Sequence, residues 1–332
     1  MFKYLIFILI LCLVGFGGWY VGKNIDLNLP TQISATPTPI PTPLAKYTVE
    51  NLSKENIKSG KFQIIDTISE EDKYTAHLFK LTFDPEINSN NLRETTGQIN
   101  IPKGEGTFPL IVMFRGYVDQ TIYQTGIGTS AGADFFANNG YITVAPDFLG
   151  YAQSDSEAGN IFESRFQTYT TAISLVDSLN QINKWNNQKV YIWAHSNGGQ
   201  IALTVLEATG LSYPTTLWAP VSKPFPYSVL YYTDESADRG KFIRSELAKF
   251  EAIYNADQFA ITDYFDKIKA PVQLHQGTSD DAIPVDWSNQ LDKQLENAGV
   301  EVNYFVYPGA DHNLRPSWDT VIQRDLEFFQ SN

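Results

Sequence analysis

The rhythm of hydrophobic and polar positions changes along the chain, and each change predicts a different kind of element. Between Gly60 and Pro102, apolar and polar residues partly alternate in Phe62–Ile65, Ala76–Phe83 and Gly97–Ile101. A period near two predicts antiparallel strands with one face covered. After Pro109 the alternation gives way to continuous apolar runs: Leu110–Phe114, Tyr141–Ala145, Val190–Ala194, Pro271–Leu274 and Val302–Val306. Such runs predict strands buried on both faces. Between them, Ile201, Val205 and Leu206 repeat at helical spacing before Gly210, and Trp287, Leu291 and Leu295 do so before Gly299. A glycine at either point ends a helix by accepting a left-handed backbone. Strands and helices in alternation predict an α/β fold: a mostly parallel sheet with flanking helices, joined to an antiparallel edge. No internal repeat is present.

The amino end follows another pattern. Tyr4–Val21 is 18 residues without a charge, which as a helix would span roughly 27 Å. Lys3 precedes it and Lys23 and Asp26 follow, so the charge bias favours a cytoplasmic amino end. We read residues 1–23 as a single-pass transmembrane anchor, with the bulk of the chain in the cell membrane's extracytoplasmic space. The competing reading is a signal peptide, the protein being secreted after cleavage, with Gly15-Phe16-Gly17 as a poor cleavage site. Residues 24–44 then form a linker, since Pro30–Pro43 carries five prolines and four threonines and no charge. Prolines at alternate positions favour an extended, semi-rigid spacer. The folded unit is expected over 45–332.

Composition narrows the function. The net charge of −13 repels a phosphate backbone over most of the surface, so nucleic acid is not an expected partner. A single cysteine, Cys12, rules out an intrachain disulfide framework and a cysteine-rich zinc site. With 43% apolar residues the chain can build a core by packing alone.

One segment carries candidate chemistry. Trp193-Ala194-His195-Ser196-Asn197-Gly198-Gly199 follows a buried strand and opens a helix. A serine in so sharp a turn needs small residues two before and two after it, and Ala194 and Gly198 meet that need, Ala194 replacing the usual glycine. A hydroxyl is a poor nucleophile at neutral pH, so Ser196 requires a base within reach and a carboxylate to orient that base. Of four histidines, His77 lies in the antiparallel region, His195 is expected to point away from Ser196, and His275 sits in a buried strand. His312, in the loop Tyr307–Asn313 after the last strand, is the best base. Asp280 is the chosen carboxylate, with its neighbour Asp281 left open. The order Ser196, Asp280, His312 matches one hydrolase architecture.

These motifs resemble the alpha/beta-hydrolase superfamily, and within it the catalytic domain of the prolyl oligopeptidase and dienelactone hydrolase group. The resemblance covers about Gly97–Phe329 and rests on the elbow, on His275–Val285, on Pro308–His312 and on Ala145–Tyr151. It implies an eight-stranded sheet, a covalent acyl-enzyme, and neither metal nor organic cofactor. It also implies that the Asp147 loop supports the site, and that the oxyanion is held by the backbone N–H groups of Asn197 and Tyr117, with the Tyr117 phenol as a substitute for the latter. Arg115 stands where the commoner form of that loop has histidine. Val221–Lys269 is expected to form a helical cap whose Phe225, Tyr227, Tyr231 and Tyr232 either line an apolar acyl pocket or pack the cap against the sheet. Only roughly 65 residues separate the linker from the Pro109 strand, too few for the propeller of prolyl oligopeptidases, so a small-molecule ester is favoured over a short peptide as substrate. A binding module without catalysis is the remaining alternative.

Overall fold

The computed structural model describes Lys23, residues 41–55 and residues 57–332. The proposed anchor and most of the proposed linker lie outside the described residues; among those described, no helix is long and apolar enough to cross a membrane. Among the described residues nine strands form one sheet: β1 Lys61–Glu70, β2 Tyr74–Phe83, β3 Arg93–Pro102, β4 Phe108–Phe114, β5 Ile142–Pro146, β6 Trp185–His195, β7 Thr215–Trp218, β8 Val272–Gly277 and β9 Val302–Tyr307. Their order is β1-β2-β3-β5-β4-β6-β7-β8-β9. The pairings from β5 through β9 are parallel, while β1, β2 and β3 pair antiparallel and β3 joins antiparallel to β5.

This corrects the expected eight strands. The extra one lies at the edge, where β1 pairs only with β2 and its register shifts twice, between Ile64 and Asp66 and between Thr67 and Ser69. Such irregularities make an edge a poor template for further pairing.

The principal helices are α1 Val49–Lys54, α2 Ser130–Asn138, α3 Ile161–Asp177, α4 Asn197–Thr209, α5 Tyr227–Leu230, α6 Lys241–Glu251, α7 Val285–Asn297 and α8 Trp318–Ser331. They cover both faces, and the unbroken apolar runs follow from this. In β4, Leu110, Val112 and Phe114 join the cluster that includes α3, α4 and α7 residues, whereas Ile111 and Met113 join the one built with α2 and α8. β6 divides in the same way, with Val190, Ile192 and Ala194 on the first face and Tyr191 and Trp193 on the second. Successive side chains of a strand point to opposite faces, so a strand covered twice must be apolar throughout.

Candidate active site

The turn from β6 into α4 places Ser196 at φ 54° and ψ −120°. Few non-glycine residues adopt that conformation, and its cost is borne by the packing around the turn. The backbones there touch: a Cβ on Gly198 would lie 2.0 Å from the Phe114 carbonyl oxygen, and one on Gly116 would lie 2.9 Å from Ser196 Cβ. The loop after β4 therefore runs directly beside the serine, which is why both positions are glycine.

His312 enters from the loop between β9 and α8. Its Nδ1 donates to Asp280 Oδ2 at 2.9 Å, and the Asp280 side chain is fully buried. Asp280 comes from the loop after β8 and is satisfied on every side. Its Oδ1 accepts from Ala282 N at 2.9 Å and Ile283 N at 2.8 Å, and Oδ2 also accepts from Gln276 Nε2 at 3.0 Å. Burial alone would raise its pKa, but the His312 hydrogen bond and the backbone donors outweigh it and hold the carboxyl below the usual aspartate range. Asp281 is exposed and makes no bond to His312.

His195 reaches the histidine loop. Its Nε2 meets the His312 carbonyl oxygen at 3.0 Å, and the two imidazoles lie 4.7 Å apart. The residue before the serine thus ties the nucleophile's turn to the histidine loop. Burial, then the neighbouring His312, pushes the His195 pKa down to about 4, so its ring is neutral near pH 7 and Nε2–H is the donor. Among the described residues no hydrogen bond reaches the Ser196 hydroxyl. In resting hydrolases that contact is commonly long and tightens with substrate bound.

Arg115 has a definite task in the loop after β4. Its buried guanidinium lies 4.0 Å from the Tyr151 ring and 4.4 Å from the Tyr123 ring, and it donates to the carbonyls of Gly116 at 2.9 Å and Asp147 at 2.8 Å. A trans peptide points its C=O and N–H in opposite directions. Holding the Gly116 carbonyl therefore turns the Tyr117 N–H away from Arg115. Asp147 anchors the same loop, its carboxylate accepting from Thr96, Tyr123 and Thr125. The Tyr117 side chain is 74% exposed. With Asn197, Tyr151, Arg165 and Ile201 it lines a cavity of about 220 Å³.

The other histidines are accounted for. His275 is buried between Asp325 and the Tyr307 hydroxyl, and His77 meets Thr67 Oγ1 at 3.3 Å on the antiparallel strands. The expected pocket aromatics fare differently. Phe225 is 1% exposed and packs its ring against Phe162, Phe166 and Phe250, so it is core and not pocket wall. Tyr227, Tyr231 and Tyr232 gather instead around Trp287, and Tyr232 donates to the Ala282 carbonyl beside Asp280. Among the described residues no three or more His, Cys, Asp or Glu side chains are grouped to hold a metal ion.

The family model of the prolyl oligopeptidase family matches residues 128–332. A Bacillus subtilis relative, described as the uncharacterized peptidase YtmA, is 24% identical over 246 residues, which cover 74% of this chain and 91% of its own. A Schizosaccharomyces pombe relative, named "putative dipeptidyl aminopeptidase", is 28% identical over 141 residues, 42% of this chain but only 16% of that longer protein. Among solved structures, acetyl xylan esterase from Paenibacillus sp. R4 superposes with a TM-score of 0.63 at 17% identity, covering 87% of this chain and 96% of its own. That likeness shows a shared α/β-hydrolase fold. Since the family model spans more than half of the sequence, the chain belongs to the prolyl oligopeptidase family and is a serine hydrolase.

Proposed function

We propose that the protein hydrolyses a carboxylic ester through an acyl-enzyme, with Ser196 as nucleophile, His312 as general base and Asp280 as the group that orients it. The observation that carries this reading is the 2.9 Å bond between His312 Nδ1 and a fully buried carboxylate. That bond keeps the proton on Nδ1 and leaves Nε2 as the acceptor for the Ser196 proton. Ser196 Oγ attacks the carbonyl carbon while His312 takes its proton. The N–H groups of Asn197 and Tyr117 receive the developing oxyanion, and His312 then protonates the departing alcohol. Water repeats the sequence on the acyl-enzyme.

Ester over amide is favoured by what precedes β4. Residues 49–102 form α1 and three strands of the same sheet, so no propeller stands between the proposed linker and the fold. The superposed acetyl xylan esterase matches over nearly its whole length. The second reading, hydrolysis of short peptides, draws on the similarity to YtmA across 91% of that peptidase. The exposed rings of Tyr227 and Tyr231, 48% and 42% accessible, stand on the Asp280 side as candidate substrate contacts. Residues 1–23 complete the proposal as an anchor that holds the enzyme outside the cytoplasm.

The test compares short p-nitrophenyl esters with proline-containing p-nitroanilides. Turnover of the esters, lost together with fluorophosphonate labelling in Ser196→Ala, is the expected result. Preferential amide cleavage would transfer the proposal to the peptidase reading, and undiminished labelling of the alanine variant would remove Ser196 as nucleophile. Fractionation of expressing cells tests the anchor, which predicts recovery of the enzyme with membranes.

A further inference from the structure

The cavity of about 220 Å³ beside the serine has a cation in its wall. Tyr117 enters from the loop after β4, Asn197 and Ile201 from α4, and Arg165 and Tyr169 from α3. Tyr117 and Asn197 are the proposed oxyanion donors, so a group held in this cavity adjoins the carbonyl that Ser196 would attack. The space is that of roughly seven water-sized groups, enough for a short substituent.

Arg165 is half-buried and held in place from α4 and from the cap. Its Nη2 donates to Oε1 of Gln200, a wholly buried residue one turn beyond Ser196, and lies 3.5 Å from Oγ of the buried Ser228 on α5. Reaching Gln200 carries the guanidinium across from α3 to α4, the two helices that enclose the cavity. Its Nη1 makes no hydrogen bond to a described residue and keeps solvent access. The Tyr169 hydroxyl stands beside the guanidinium on the same wall.

Every one of these partners is neutral. Among the described residues Arg165 forms no ion pair. Glu157, the one carboxylate in the cavity wall, is exposed and accepts from Gln120 and Ser164 instead. A guanidinium partly removed from water gives up hydration that only a counter-charge restores, and its planar fork matches a carboxylate. The chain's charge of −13 repels anions at long range, so an affinity for one requires a local cation of this kind.

We infer that this cavity selects substrates carrying a carboxylate, on the acyl or the alcohol part of the ester, and that Arg165 binds it together with the Tyr169 hydroxyl. The inference rests on the ester-cleaving reading above and names the class of ester. Arg165 sets specificity and takes no part in the bond-breaking step.

The experiment compares, with the full chain, monomethyl glutarate against methyl valerate and β-acetoxypropionate against propyl acetate, by titrating the acid released. Within each pair a methyl is replaced by a carboxylate, on the acyl side in the first and on the alcohol side in the second. At least one anionic ester should show a KM about tenfold below its neutral partner, as expected for a charge-assisted bond, and the pair that does so identifies the side. Arg165→Gln should erase that preference and Arg165→Lys should keep part of it. Were Arg165 only a support for Gln200 and α4, Arg165→Gln would slow both members of a pair alike. An unchanged ratio in that variant, or no preference for either anionic ester in the parent, would therefore overturn the inference. If Arg165→Gln does not fold, the parent ratio and Arg165→Lys decide. Calorimetric titration of the Ser196→Ala protein with glutarate and with β-hydroxypropionate separates this inference from the ester reading. Saturable binding, weakened about tenfold by Arg165→Gln, is expected for at least one of them. Failure to hydrolyse any of the four esters would count against the ester reading, whereas absence of binding by both acids would overturn the carboxylate site.

Discussion

Replacing Asp280 by asparagine changes one atom and tests the proposed roles most directly. Four donors converge on this carboxylate, two on each oxygen. An amide offers one acceptor oxygen, so either orientation sets an NH₂ group against two donors. The backbone amides of Ala282 and Ile283 cannot turn away, which favours leaving the oxygen on them and facing the NH₂ toward His312 and Gln276. Gln276 cannot rotate in response, because its Oε1 accepts from Ser288 and its Nε2 also serves the Gly277 and Ile283 carbonyls. Relief comes from the imidazole, which moves its proton from Nδ1 to Nε2. His312 then presents an N–H to Ser196 and cannot take its proton. The expected loss in kcat is about 10⁴-fold, the size found when a triad aspartate becomes asparagine, or roughly 5 kcal/mol of barrier. Stability should fall by about 1–3 kcal/mol as charge-assisted bonds weaken. The assays are p-nitrophenyl acetate turnover, a urea melt, and the ¹⁵N shifts of His312, which report the tautomer. A folded D280N retaining kcat within about tenfold of the parent would refute the argument. The exposed Asp281→Asn control should change kcat by no more than about twofold. The pH sign follows as well. The Asp280 pKa is depressed in the folded protein, so its contribution to stability is present above the unfolded value near 4. It is lost as pH falls through the lower folded value, and D280N should lack that acid limb.

His195, neutral in the fold with a pKa of about 4, should destabilise the protein as pH falls from about 6.5 toward 4, because the unfolded chain binds the proton first. Unfolding free energies from urea melts at the two ends of that window should differ by on the order of 1–3 kcal/mol, and His195→Asn should reduce the difference; an unchanged slope would remove this residue as its source. Gly198→Ala would set a methyl 2.0 Å from the Phe114 carbonyl oxygen and should cost more than about 4 kcal/mol, read as loss of a cooperative melt. Phe225→Ala should cost about 3–5 kcal/mol by opening a void among Phe162, Phe166 and Phe250, while leaving acyl-chain preference unchanged. A shifted preference would return Phe225 to the substrate pocket.

Much of this architecture is legible in the linear pattern, for reasons that are local. β4 and β6 are covered on both faces and so read as unbroken apolar runs, and the small residues around Ser196 follow from a turn too tight for side chains. β7 escapes such a reading because it has only four residues, between Pro214 and Ala219, too few to show a period. The edge strand β1 shows little alternation in its burial, so its length and pairing come from β2 and not from its own side chains. Side-chain direction is the larger loss. Spacing alone could not send His195 toward the His312 carbonyl or choose Asp280 over Asp281, since both choices depend on loops that are distant in sequence meeting at one sheet end. Nor could it separate Phe225 in the core from Tyr227 and Tyr231 at the surface, as all three are aromatic within seven positions. Residue order thus sufficed for the strands, the turn and the kinds of reactive group, because those depend on neighbours a few bonds away. Which groups face one another, and which cavities they enclose, was settled by long-range packing that no local pattern records.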